Sequence, residues 1–281
     1  MGAATEWYGR RYIDLHGMPS WADLASPDPA ASKAFYRGLF GWDSYTLNAG
    51  GFGDYEVFTD EAPGSGVAGL QSLADDTQPP SWTCYFRVED VDACVRTVLA
   101  AGGLPHVDPI DVAHIARIAV FADDQGAEFA VWQPGPSGET TLMGDRSAAR
   151  WVELACRDVG GAERFYGAVF GWSAESLDDP RFSYTRWRAG GELVAGAIPM
   201  DGQWPADYPN HWTPYFETPD CDAATAEATE RGARLRLPPT EIAEGRISVL
   251  TDPTGARFGV IAPDPPRSPR GADADRPPGA K

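Results

Sequence analysis

Lysine is nearly missing from this sequence: among 281 residues it occurs only at Lys33 and Lys281, and the formal net charge is −18. A surface so poor in cations repels the phosphates of nucleic acids and of anionic lipid headgroups, so neither is an expected partner. No apolar run approaches the roughly 20 residues that a membrane-spanning helix needs. Residues 1–19 carry Glu6, Arg10, Arg11 and Asp14 and no continuous apolar stretch, which argues against a secretory signal and for a cytoplasmic protein. Cysteine occurs four times, at Cys84, Cys94, Cys156 and Cys221, with no C-x-x-C pair and no zinc-ligand spacing. These thiols are read as buried and reduced, Cys84 and Cys156 on strands, Cys94 and Cys221 on helices. Aromatics are plentiful, with ten Trp, ten Tyr and twelve Phe, and the length suits two domains with a core each.

The dominant feature is an internal repeat. Residues 21–43 (WADLASPDPAASKAFYRGLFGWD) and 151–173 (WVELACRDVGGAERFYGAVFGWS) align without a gap, with nine of 23 positions identical. The match resumes with WTCYFRVED at 82–90 against WTPYFETPD at 212–220, and closes with FADDQGAEFAVW at 121–132 against LTDPTGARFGVI at 250–261. Three collinear matches mean duplication. Within each copy a weaker half-repeat is visible: a short apolar strand, an Asp, a helix and a Gly. Asp28, Asp90, Asp158 and Asp220 are read as helix N-caps, whose carboxylates accept from free N–H groups of the first turn. Phe35, Tyr36, Leu39 and Phe40 recur at helical spacing, and Gly41 is placed to end that helix. Strand-like runs follow at 55–59, 67–73, 116–121 and 128–132. The unit is therefore β-α-β-β-β, and the chain holds four. An arm spans 1–18, one domain 19–134, a Gly/Ser/Thr/Pro-rich linker 135–148, a second domain 149–263, and a tail expected to be disordered 264–281.

A strand, an Asp, a helix bearing A-x-x-F-Y and then F-G-W resembles the vicinal oxygen chelate superfamily, which includes glyoxalase I, extradiol dioxygenases and bleomycin-resistance proteins, and in particular its tandem actinobacterial glyoxalase-like branch. The resemblance implies an α+β fold in which pairs of modules curl mixed sheets into cups. It also implies a divalent metal held by inward His, Gln and Glu. The positions it assigns to those ligands are Trp21, Thr83 and Ala130 in the first copy and Trp151, Thr213 and Gly259 in the second, with a fourth in 67–73 and 193–200. Indole offers no lone pair to a metal and threonine is a poor neutral donor, so no metal and no other cofactor is expected.

Strand alternation lets one inward residue predict the next. With Trp21 inward, Asp23 follows; Thr83 brings Tyr85, and Ala130 brings Glu128. The second cup would hold Trp151, Glu153, Thr213, Tyr215 and Arg257, with His211 near its rim. Each cup then offers a Trp face, hydroxyls and a carboxylate, which suits a flat oxygenated ligand. Asp23 and Glu153 are candidate general bases with Tyr85 and Tyr215 as acids, or they simply accept bonds from neighbouring hydroxyls. His114, whose counterpart is Glu244, is a candidate proton shuttle or an idle loop residue. Arg117 and Arg246 either clamp an anionic ligand or pair with nearby acids. His16 and His106 fall in expected loops and take no role.

Two functions fit. One is a metal-independent enzyme of secondary metabolism that isomerises, cyclises or eliminates on an oxygenated aromatic compound. The other is a resistance-type protein that binds an antibiotic or metabolite unchanged; the acidic chain would favour a cationic guest. A third reading, a scaffold with filled cups, also stands. The modules would pair first with second and third with fourth, or first with fourth and second with third. Small molecules are the expected partners, and the protein is expected to be a monomer or homodimer.

Overall fold

The computed structural model describes residues 16–48, 54–60, 66–75, 77–112, 115–135, 149–179, 182–202 and 204–263. Most of the expected arm, the linker beyond Gly135, the expected disordered tail and His114 lie outside the described residues.

The first module comprises β1 (Pro19–Ser26), α1 (Pro29–Phe40), β2 (Asp43–Asn48), β3 (Asp54–Thr59) and β4 (Gly66–Ser72). The second comprises β5 (Ser81–Arg87), α2 (Val91–Ala100), β6 (Leu104–Val112), β7 (Ala116–Ala122) and β8 (Glu128–Pro134). The third follows as β9 (Ala149–Cys156), α3 (Val159–Phe170), β10 (Ser173–Asp179), β11 (Phe182–Ala189) and β12 (Glu192–Pro199). The fourth is β13 (His211–Glu217), α4 (Cys221–Glu230), β14 (Arg234–Ile242), β15 (Gly245–Thr251) and β16 (Arg257–Ala262). Asp28, Asp90, Asp158 and Asp220 cap the four helices, each carboxylate accepting from the backbone N–H three residues on. Gly41 and Gly171 end α1 and α3 in the left-handed conformation. His106, expected in a loop, lies within β6.

Two eight-stranded mixed sheets form, ordered β2-β3-β4-β1-β5-β8-β7-β6 and β10-β11-β12-β9-β13-β16-β15-β14. In each, two four-stranded halves join along an antiparallel seam, β1 with β5 and β9 with β13. The cups therefore pair the first module with the second and the third with the fourth. The main cores pair them the other way. One packs α2 and the outer face of β5, β7 and β8 against α3, β9 and β12. The other packs α1, β1 and β4 against α4, β15 and β16. Alternation explains the division: successive residues of one strand serve a cup and a core in turn, so Trp151 and Glu153 face the second cup while Val152 and Leu154 enter the core.

Polar ties reinforce both cores. Tyr36 donates to Asp252 and receives the indole N–H of Trp82; Tyr166 donates to Asp123 and receives that of Trp212. Asp123 and Asp252 also accept backbone N–H groups of their own turns, so these buried carboxylates are saturated with donors. All four cysteines are buried and unbridged. No helix among the described residues is long and apolar enough to cross a membrane.

Candidate small-molecule site in the second cup

The cups share a frame. Across the first sheet Val57, Gly69, Asp23 and Thr83 lie in register; across the second, Arg186, Gly196, Glu153 and Thr213 do. Gly69 and Gly196 matter through space rather than dihedral freedom. A β-carbon at Gly69 would run into the Tyr55 hydroxyl, and one at Gly196 into that of Tyr184. These glycines let each tyrosine lie across the cup floor and reach the acid.

In the first cup the reach ends in a closed network. The indole N–H of Trp21 donates to Oδ1 of Asp23 at 2.6 Å, and the Tyr55 hydroxyl donates to the same oxygen. Tyr85 adds a third bond to this carboxyl, which burial raises above its ordinary pKa while the three donors oppose the rise. Val57, Ala130 and Trp132 pack around them. At the rim, Thr83 donates to Glu128 at 3.1 Å and His106 meets the same carboxylate at 3.1 Å.

The second cup differs by a few substitutions with large effect. Ile261 stands where Trp132 does, and Arg186 where Val57 does. Glu153 is one methylene longer than Asp23. Glu153 lines a cavity of about 150 Å³, together with Thr213, Tyr215, His211, Trp204, Arg236 and Arg257. Tyr215 donates to Oε1 of Glu153 at 2.8 Å. Burial raises the Glu153 pKa to about 7, against the hydrogen bonds from Tyr215 and Tyr184. The Tyr215 hydroxyl is pushed well above its ordinary value, first by burial and then by Glu153. Gly259 is obligatory beside it, because a β-carbon there would fall inside the Tyr215 ring. Near Glu153, outside the cavity lining, Arg186 and Glu244 form a buried ion pair.

The rim of this cavity is cationic and aromatic. Arg257 donates to Nε2 of His211 at 2.9 Å, and its guanidinium lies 5.3 Å from the ring centres of Trp204 and Tyr208. An Nε2 that accepts leaves the proton on Nδ1, which donates to the Pro209 carbonyl. Burial and then Arg257 lower the His211 pKa to about 4, in keeping with a neutral ring.

Several expectations need correction. Trp21 and Trp151 are each 1% exposed, so they are floor rather than stacking faces. Arg117 and Arg246 do not enter the cups. They share strand parity with core residues Phe121 and Leu250, on the helix side. There Arg117 pairs with Asp92 and Asp111, and Arg246 with Asp222 and Glu241. Glu128 sits at the mouth of the first cup, away from Asp23's buried network. Tyr55, Tyr184, Arg186, Trp204, Tyr208 and Arg236 are site residues that reasoning from the shared pattern misses.

Register also tests the metal that the fold family implies. In the second cup the ligand positions hold an indole, a threonine hydroxyl and two glycines, Gly196 and Gly259. Of the nearby acids, Glu153 takes bonds from tyrosines and Glu244 is held by Arg186. Among the described residues no three of His, Cys, Asp and Glu converge. This donor set does not fit a divalent ion.

Comparison with known proteins agrees with this architecture. Residues 19–131 match the glyoxalase/bleomycin resistance protein/dioxygenase superfamily, and residues 151–261 match the glyoxalase-like domain. The chain belongs to that superfamily as a tandem two-domain member. It is 36% identical to the anthracycline biosynthesis protein DnrV of Streptomyces peucetius, over 87% of this chain and 93% of that protein. It is 35% identical to the putative glyoxylase CFP32 of Mycobacterium tuberculosis, over 89% of this chain and 96% of that one. Among solved structures it is similar to the 2,3-dioxygenase LapB from Pseudomonas sp. KL28, with a TM-score of 0.59 and 12% identity over 89% of this chain and 93% of that one. The Mn(II)-bound glyoxalase from Novosphingobium aromaticivorans gives 0.57 and 17%, over 88% and 82%. At these identities the structural likeness concerns the fold.

Proposed function

We propose that the second cup is the active site of a metal-independent enzyme of secondary metabolism, which moves a proton on an oxygenated aromatic small molecule in an isomerisation, cyclisation or elimination. The observation that carries this reading is Glu153: a buried residue that lines a cavity and whose pKa lies at about 7. Such a group takes up and returns a proton near neutral pH with little bias, as a general base that later acts as acid requires. Tyr215 keeps its own proton at that pH, so it orients Glu153 and Glu153 itself returns the proton. Arg257 at the rim would stabilise negative charge developing on a substrate oxygen. Similarity to DnrV, an anthracycline biosynthesis protein, supports an aromatic substrate of secondary metabolism. Asp23, the matching acid, is closed in by Trp21, Tyr55 and Tyr85 and takes a structural role.

The test is hydrogen–deuterium exchange at the carbon acid of 2-tetralone and its hydroxylated analogues, followed by NMR in deuterated buffer. Wild-type protein should accelerate exchange, and Glu153→Gln should lose at least a hundredfold of that acceleration. A compound that binds one per chain and is recovered unexchanged would favour the binding-protein reading instead.

A further inference from the structure

We infer that the guest of the second cup is an anion: a flat molecule whose carboxylate, or comparably acidic oxygen, is held by Arg257 and Arg236 while its ring lies against Trp204 in the cavity wall. This rests on the second cup being a small-molecule site, and it adds the sign of the guest's charge.

Arg117, Arg186, Arg188, Arg231 and Arg246 each have a carboxylate within ion-pair distance. Arg236 and Arg257, both in the cavity wall, have none among the described residues. Arg236 donates through Nε to the Thr251 hydroxyl at 2.8 Å, and Arg257 donates to the neutral ring of His211. The Nε of Arg257 is buried with no hydrogen-bond partner. The Arg257 guanidinium is partly withdrawn from water without a counter-charge, which is costly, and the exposed guanidinium of Arg236 nearby adds repulsion. Glu153 is near enough to be felt by Arg257 but forms no ion pair with it. The site is therefore short of one negative charge.

Comparison of the two cups shows that this is local. Arg257 occupies the position of Glu128 and Arg236 that of His106, so a carboxylate with an imidazole in one rim becomes two guanidiniums in the other. His211 stands where the first copy has Ser81, and Trp204 and Tyr208 lie in the loop before β13, which is three residues longer than the first copy's loop before β5. The chain's net charge favours a cationic guest, but the cavity's own charge has the opposite sign. Over a few ångströms in a half-buried site the nearby groups dominate, because distant surface charges are screened by salt. Planar guanidinium over aromatic rings is a geometry that receives a carboxylate edge-on while leaving ring faces for stacking.

The experiment uses 2-naphthoate and 2-naphthamide, nearly equal in shape and different in charge, titrated calorimetrically into the full-length protein at pH 7. Wild type should bind the carboxylate at least tenfold more tightly than the amide, and high salt should narrow the gap. Arg257→Gln should abolish the preference and Arg236→Gln should reduce it, with thermal unfolding confirming that both variants fold. Equal binding of the two probes, no binding of the carboxylate, or a preference that survives in Arg257→Gln overturns the inference. The outcome is separable from the catalytic reading. Exchange lost in Glu153→Gln without a charge preference sinks the anion alone; a charge preference without exchange sinks catalysis alone.

Discussion

The hydroxyl of Tyr36 donates to Oδ2 of Asp252 at 2.8 Å, joining the first module's helix to a turn of the last, 216 positions away. Its counterpart joins Tyr166 to Asp123 at 2.9 Å in the other core. Each phenol is also the acceptor for a buried tryptophan N–H, so removing one hydroxyl strands two polar groups. Tyr36→Phe should therefore cost about 2 kcal/mol in urea unfolding, as should Tyr166→Phe. The two bonds sit in separate cores, so the double variant should be additive within about 0.5 kcal/mol.

Glu153 makes stability depend on pH in a specific direction. Its folded pKa of about 7 lies above the ordinary 4.5, so the native state holds the proton more tightly than the unfolded chain. Below about 4.5 both states are protonated and nothing is lost; as pH rises through 7 the buried group must ionise, and stability falls. Relative to wild type, Glu153→Gln should gain about 2–3 kcal/mol between pH 5 and pH 8. Denaturation curves of the two proteins at both pH values check this, and a constant difference between them would show Glu153 already ionised at pH 5.

Asp23 should behave in the opposite sense. Asp23→Ala leaves the donors of Trp21, Tyr55 and Tyr85 without their acceptor in a buried cup. A loss of about 2–4 kcal/mol is expected, with catalysed exchange in the second cup retained once the variant is assayed well below its melting temperature.

Gly196→Ala tests the floor of the second cup. The new methyl meets the Tyr184 hydroxyl and the Trp151 ring. Destabilisation of about 1–3 kcal/mol should follow. Displacing Tyr184 also removes a hydrogen bond that holds Glu153 down, so the carboxyl should titrate higher in a carbon-13 NMR titration of the labelled side chain.

Much of this was legible in the residues, because what the copies share is architecture. The capping aspartates, the F-Y helices and the unfit ligand positions all lie at matched places. The edge strands β2, β6, β10 and β14 are rich in charged and polar residues, so their sequence carries only a weak strand signal. Of the two readings open for Arg117 and Arg246, pairing with nearby acids holds, as their alternation with Phe121 and Leu250 indicates. The cavity residues escaped for another reason. Trp204, Tyr208 and Arg236 have no counterpart of like chemistry in the first copy, so the shared pattern does not reveal them, whereas Arg257 follows from strand alternation. The opposing rims, Glu128 and His106 against Arg257 and Arg236, become visible only when differences between aligned copies are read as signal.

The sheets couple neighbours in sequence, whereas the cores couple the second module with the third and the first with the fourth. The four units thus close into a ring in which every joint is of one of two kinds. Opening that ring within 136–148 should leave two polypeptides that remain clasped. Each alone would bare the apolar sides of both its helices, so neither half is a folding unit, and separate expression should give insoluble fragments that co-expression rescues as a one-to-one pair.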